Sequence, residues 1–506
     1  MKHENSMPPE LTGNTKRVPA PANFMADAFK LVSGTVIVQV LSILASPLMT
    51  RLYSPEAFGL LAIFTSFSSL FSVIICLRYE LAIVLPETDE EAANLFALSM
   101  GIATLISLFS APIFWLAGPT LAQWMNTPEL SRYLWMLPPV LLFGGLSMGH
   151  PALNYWATRT RRYKELSVTR VIGAVFSTST NLGMGFAGFT SAGVLIGVNI
   201  LGAIISPLIL AGQVLRGNGK LFLSSINWNA ILGGLKKYKN FPLYSTWSSL
   251  LNTLSVQLPV FMLSIFFSPV VVGQYALGVR ILQLPMVFVG SAIGQVFFQR
   301  ASAAKNNGTL TEVVEKIFLQ LILLAVFPFL LLGFVGTEIF EVVFGSNWID
   351  AGVFAQILVP WMFFVFISSP ISTLNSILEQ QQADLIFNIM LIVTRAGALF
   401  WGGMLGNIVL TLTLFSASGV ALWVFFFLFL IKQAGVNLWV ILKQLGMKIW
   451  TAGLFLLPLV IIKFIFSWGA LFTLIASVVS SIFYYLYLFH HDSHAKEILS
   501  DIPYWR

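Results

Sequence analysis

Residues 54–62 read SPEAFGLLA and residues 268–276 read SPVVVGQYA, with Ser, Pro, Gly and Ala at matching places 214 residues apart. Each copy follows one long apolar run and precedes another. The chain is 57% hydrophobic and 10% charged, with a mean hydropathy of +0.84, whereas a soluble domain carries roughly 25% charged residues. Its main solvent is therefore lipid. Crossing about 30 Å of hydrocarbon takes roughly 20 apolar residues as a helix, and only helices or closed barrels satisfy their backbone there. The runs are too long for barrel strands, so the fold class is an all-α polytopic membrane protein.

Fourteen crossings are expected, at about 28–50, 58–78, 94–117, 133–156, 168–188, 191–215, 243–267, 275–298, 317–336, 353–377, 386–405, 407–431, 449–467 and 469–489. Lys and Arg in the connections decide orientation. With the N-terminus in the cytoplasm, the inner segments collect Arg159, Arg161, Arg162, Lys164, Arg216, Lys220, Lys236, Lys237, Lys239, Arg300, Lys305, Lys316, Lys432, Lys443 and Lys448. The outer side keeps only Arg51, Arg132 and Lys463 at helix edges. Both termini are thus expected inside, and the net charge of +7 is topological, which argues against nucleic-acid binding.

The expected organisation is a disordered cytoplasmic tail at 1–27, an N-lobe of six crossings at 28–216, a cytoplasmic linker at 217–242, a C-lobe of six at 243–432, two extra crossings at 433–489 and a tail at 490–506. The first tail has no signal-peptide pattern. Cys76, the single cysteine, has no partner for a disulfide or a metal site and reads as a small core residue. In this scheme SPEAFG links crossings one and two, and SPVVVG links crossings seven and eight. Both fall on the outer face at equivalent points of two parallel repeats, an arrangement transporters use for alternating access. Thr35, Gln39, Ser42 and Ser46 make a polar stripe on the first crossing, and Ser245, Ser248, Ser249, Asn252 and Ser255 make another on the seventh. Small polar residues also let helices pack closely, but two stripes at matched positions favour a shared central cavity.

Ionisable groups at bilayer depth cost about 2.5–3.5 kcal/mol each on insertion scales, so they persist mainly in wet cavities or beside partners. Arg395 lies near the middle of the eleventh crossing. Arg280 lies near the outer end of the eighth, on a stripe with Gln283, Ser291, Gly294 and Gln295. Carboxylates approach the membrane only at helix ends, as Asp27, Glu80 and Asp384. A cationic interior favours an anionic ligand, and the planar guanidinium fork suits phosphate. Thr88 and Glu91 in TDEE have capping-box spacing rather than the character of a metal site. Arg159–Glu165 and Lys236–Asn240 read as cytoplasmic anchors with lipid-headgroup contact as a second role. No cofactor is expected.

RLYSPEAFGLLAIFTSF from Arg51, RYELAIVLPETDEEAANLFALS from Arg78, NYWATRTRRYKELSVTRV from Asn154, KKYKNFPLYSTWSSLLNTLS from Lys236 and LGVRILQLPMVFVGSAIGQVFFQRAS from Leu277 together resemble the Wzx-type oligosaccharide flippases. These belong to the multidrug/oligosaccharidyl-lipid/polysaccharide exporter superfamily. The likeness runs over roughly residues 25–435. It implies two MATE-like lobes related by a pseudo-two-fold, residence in the bacterial inner membrane, and flipping of a polyprenyl-pyrophosphate-linked oligosaccharide for O-antigen or another surface polysaccharide. A polysaccharide polymerase and a chain-length regulator are the implied partners besides membrane lipids. Cavity cations of that family are implicated in holding pyrophosphate, which makes Arg280 the position to carry over; Arg395 rests on its depth. Gln283, Asn252 and Gln39 complete the candidate substrate-binding set. Arg51 and Arg78, in family-like motifs at helix ends, are candidate gate or headgroup contacts. Asp27 and Glu80 are the candidate ion-coupling carboxylates.

A cation-coupled multidrug antiporter of the same architecture is the alternative, and it would call for deep carboxylates. An enzyme is disfavoured, because the outer connections are short and lack a nucleophile with a base, paired carboxylates or a metal cluster.

Overall fold

The computed structural model describes residues 24–146, 150–465 and 469–492, with the side chains of 24–33, 291, 292, 295, 381 and 464 left aside. Most of both expected tails, the Asp27 side chain, and the Ser291 and Gln295 side chains lie outside the described residues. The described chain is helical throughout: α1 (Phe24–Leu52), α2 (Pro55–Ile74), α3 (Asp89–Trp124), α4 (Ser131–Leu134), α5 (Leu137–Leu142), α6 (Pro151–Arg159), α7 (Tyr163–Phe186), α8 (Ala192–Ser225), α9 (Trp228–Lys237), α10 (Thr246–Phe266), α11 (Pro269–Leu282), α12 (Ser291–Asn307), α13 (Leu310–Phe344), α14 (Ile349–Ser368), α15 (Leu374–Ile377), α16 (Gln381–Met404), α17 (Ile408–Gln433), α18 (Leu438–Phe464) and α19 (Ala470–His491).

Eleven helical stretches among the described residues are long and apolar enough to span a bilayer. The other three expected crossings have a different character. The fifth, α7, spans 24 residues but carries Arg170 and a run of Ser, Thr, Asn and Gly that lowers its hydropathy. The fourth is divided among α4, α5 and α6, with Gly144 and Gly145 at φ +94° and +82°, a left-handed conformation that glycine adopts without steric cost. The eighth is divided into α11 and α12 by Pro285 and a π-helical turn at Met286–Gly290. Length and composition therefore count eleven crossings rather than fourteen, because polar helices and broken ones escape such a count.

The recurring motif has a structural cause. Ser54 Oγ accepts from the Ala57 amide at 3.2 Å and Ser268 Oγ from the Val271 amide at 3.4 Å. Each serine caps a helix that begins with proline, where no backbone donor is lost. The two capped helices, α2 and α11, then pack on each other. A Cβ placed on Gly59 would lie 1.8 Å from the Pro269 carbonyl oxygen, and one on Gly273 would lie 1.9 Å from the Pro55 carbonyl oxygen. The glycine of each copy thus rests on the proline of the other, a reciprocal contact about a local two-fold. Any larger residue would push the backbones apart.

Further bonds between the halves gather at the same end. Arg51 Nη2 donates to Val342 O at 2.8 Å, Trp348 Nε1 to Thr50 O at 2.8 Å, Asn126 Nδ2 to Phe267 O at 2.6 Å and Ser264 Oγ to Met125 O at 2.8 Å. This is the end that the charge pattern assigns to the outside, so the halves are clasped there.

At the opposite end Thr88 Oγ1 accepts from the Glu91 amide at 3.3 Å, as a helix cap should. The Glu91 carboxylate does not complete a capping box. It turns instead to Lys237 Nζ at 2.6 Å and Tyr238 OH at 3.3 Å, because an ion pair with α9 is within reach. Arg159 ties the α2–α3 connection together through Ile83 O, Pro86 O, Thr88 O and the Asp89 carboxylate. The last two helices, α18 and α19, pack on α13, where Tyr484 stacks on Phe327 at 4.2 Å between ring centroids.

Candidate functional site

The polar stripe of α1 faces α7 and α8 across an open space. A glycine on each of those helices permits their close approach: a Cβ on Gly173 would sit 3.0 Å from Gly202 O. Thr35, Gln39, Ser42, Arg170, Ser177 and Asn199 are among the residues lining a cavity of about 380 Å³. An adjoining cavity of about 110 Å³ shares Ser42, Ser177, Thr178 and Asn199 and adds Ser46, Asn181 and Arg280. Arg280 comes from α11 in the other half and donates Nη2 to Ser42 O at 3.2 Å and to Ser42 Oγ. The polar space is therefore bounded by both halves.

Two guanidinium groups face this space, Arg280 and Arg170, and no carboxylate is among its lining residues. The Arg170 Nε is buried with no hydrogen-bond partner among the described residues. A buried donor without an acceptor costs about 1–3 kcal/mol, more when charged, so an incoming anion would relieve that cost. Serine, threonine and asparagine hydroxyl and amide groups around the same space could supply further donors. The charge of the lining favours an anion such as phosphate, while Asn181 Oδ1 and Ser46 Oγ are also buried without a partner among the described residues.

Arg170 was not among the residues expected from sequence. Its signal was present: Arg170, Gly173, Ser177, Thr178 and Asn181 recur at helical spacing on one face of α7. Gln39 lines the larger cavity and Arg280 the adjoining one. Gln283 lines neither; it lines a separate cavity of about 300 Å³ with Arg395, Tyr275 and Trp361. Arg280 and Arg395 therefore face different spaces on either side of α11. Of the polar stripe on α10, Ser255 reaches Arg395, whose Nη1 donates to its Oγ at 3.4 Å. Asn252 is exposed and lines neither the polar space nor the Arg395 cavity. The α1 stripe lines the polar space, and on α10 Ser255 is joined to the Arg395 cavity, which is walled mainly by apolar and aromatic side chains.

Arg51 belongs to the outer clasp. Arg78 lies at the opposite end, where Leu77 and Arg78 turn the chain at φ 49° and 63°. Its Nη1 is 3.6 Å from the Glu80 carboxylate. Glu80 is only 3% exposed and its Oε2 has no hydrogen-bond partner among the described residues. Burial pushes its carboxyl above the ordinary value of 4.5, outweighing a backbone hydrogen bond and Arg78, which both pull it down. A raised folded-state pKa means that the ionised form weakens the fold; the penalty is present above that pKa and disappears as pH falls through it. Glu80→Gln is predicted to raise the melting temperature by a few degrees at about pH 8, with the gap to the parent closing toward about pH 5. Thermal unfolding in detergent at the two pH values checks this, and a lower midpoint for the variant at the higher pH would refute it.

Among the described residues no group of three or more His, Cys, Asp or Glu could hold a metal ion. The family described as polysaccharide biosynthesis protein matches residues 48–353, which is more than half of the chain and includes the outer clasp, Arg170 and Arg280, but not the α1 wall of the polar space from Thr35 to Ser46. The chain belongs to that family. No curated protein matches it in sequence. Among solved structures, the lipid II flippase MurJ in an inward closed conformation superposes with a TM-score of 0.71 at 12% identity, over 91% of this chain and 99% of that one. A point mutant of the Vibrio cholerae MATE transporter VcmN gives a TM-score of 0.49 at 14% identity, over 81% of this chain and 95% of that one. The likeness to MurJ bears on the fold.

Proposed function

We propose that this protein flips a polyprenyl-pyrophosphate-linked oligosaccharide from the cytoplasmic to the outer leaflet of the bacterial inner membrane, for O-antigen or another surface polysaccharide. The observation that supports this most is the polar space bounded by both halves, with two guanidinium groups and no carboxylate facing it. Membership of a polysaccharide biosynthesis family and a fold shared with a lipid II flippase point the same way. In this reading the pyrophosphate pairs with Arg280 and Arg170, the glycan occupies the Ser, Thr and Asn-lined space around Gln39, and the prenyl tail stays in lipid. The outer clasp keeps the site closed to the outside until the lobes rock. The chain acts as a transporter and performs no bond-breaking step; a polymerase and a chain-length regulator would act on what it delivers.

A cation-coupled drug antiporter would need an anionic group facing the cavity, and the cationic lining disfavours it. Transport in reconstituted vesicles separates the two. A short-chain prenyl-pyrophosphate disaccharide should become accessible on the far side only in vesicles that contain the protein. Movement of a cationic dye, with the pyrophosphate lipid left in place, would overturn the proposal.

A further inference from the structure

The cavity around Arg395 has a makeup unlike that of the polar space. Its volume of about 300 Å³ is at the lower end of ordinary ligand pockets. Met286, Phe366, Phe415 and Trp423 are among its walls, with Gln283, Tyr275 and Arg395 as residues that carry polar groups. The Arg395 guanidinium lies 5.4 Å from the Trp361 ring centroid and makes one long bond to Ser255 Oγ, 3.4 Å. Its Nε is buried with no hydrogen-bond partner among the described residues, and no carboxylate lines the cavity. A guanidinium in mid-membrane with so few partners is costly, and cation–π attraction offsets only part of that cost.

Water is a poor occupant for most of this space. The few polar groups near Arg395 can hold an ordered water, but the larger apolar part of the lining stays dry or takes up an apolar group. An apolar molecule alone would leave the guanidinium without an acceptor. The group that satisfies both halves of the lining has an anionic head and an apolar body. Val256, which also lines the cavity, is exposed on α10, so the space meets the outside of the helix bundle at that point.

We propose that the Arg395 cavity is a separate binding site for an amphiphilic anion, with a phosphate or carboxylate paired to Arg395 and an apolar chain against Trp361, Phe366 and Phe415. The site lies across α11 from the polar space and does not depend on the transport reading. Two sources share this chemistry, the prenyl phosphate of the lipid carrier and an acidic membrane lipid.

The test uses the full-length protein in detergent, with both polar-space cations removed (Arg170→Gln/Arg280→Gln) so that only the Arg395 cavity is read. Native mass spectrometry counts adducts of farnesyl phosphate, dodecanoate and uncharged farnesol. One farnesyl phosphate or one dodecanoate per chain is expected, with at least a tenfold loss on adding Arg395→Gln and at least tenfold weaker retention of farnesol. The tighter of the two anions identifies the source. Val279→Phe, which fills the cavity while keeping the charge, should cause the same loss; it serves if the Arg395 variant does not fold. Equal binding by the parent and both variants, or farnesol retained as well as the anions, would overturn the proposal.

Discussion

Arg280→Gln is predicted to reduce movement of the lipid-linked oligosaccharide by about a hundredfold, since removing one partner of a desolvated charge pair costs about 2–5 kcal/mol. The side chain crosses from α11 to Ser42 on α1, so it lies where the two halves and the polar space meet. Glutamine retains a donor but loses the charge and the fork that grips two phosphate oxygens. Arg280→Lys keeps a point charge without the planar fork and should retain an intermediate rate. Arg170→Gln should weaken transport in the same direction, and the double variant should be inactive. The measurement is surface polymer in a strain that lacks the chromosomal copy, together with the amount of lipid-linked precursor left on the inner leaflet. Full polymer from an Arg280→Gln protein present at parental level would remove the main support for the proposed function.

Gly59→Ala is predicted to break the outer clasp. The added Cβ would be 1.8 Å from Pro269 O and 3.1 Å from the Gly273 amide nitrogen, and neither backbone atom can swing aside as a side-chain tip could. The two helices must separate there or the protein must carry the strain. Overpacking of this kind costs about 1–3 kcal/mol, which would shift a two-state equilibrium about 5- to 150-fold toward the state open on the outer side. Because the contact is reciprocal, Gly273→Ala should behave alike. Ser46 is 2% exposed and borders the polar space just below the clasp. In a Cys76→Ser background, Ser46→Cys should label slowly with an impermeant maleimide from outside, and several-fold faster once Gly59→Ala is added. Unchanged labelling in a folded protein would mean that the clasp is not a gate.

Both predictions depend on positions that differ in how far they could be read without coordinates. The Ser-Pro-x-x-x-Gly repeat was legible as helix punctuation, since a capping hydroxyl, a proline at the first turn and a glycine one turn later are local features. That the two copies rest on each other was not legible, because nothing in either segment specifies its partner. Arg280 was singled out by the polar stripe it shares on one helix and by the family resemblance. Its partner Ser42 belongs to a helix in the other half, and the pairing follows from how α1 and α11 are rotated. Arg170 shows the opposite case: its helical face was readable, but the space it faces is set by how α7 packs with α1 and α8.

Amino-acid order alone therefore determined the solvent of this protein, its helical class, the punctuation of its crossings and the cationic sign of its interior, since apolar run length, caps and charge spacing act within one or two helical turns. Tertiary structure alone decided which groups share a space. It placed Arg170 and Arg280 in adjoining polar cavities and Arg395 with Gln283 in an aromatic one, because the direction a side chain takes depends on helix rotation and packing between segments far apart in the chain.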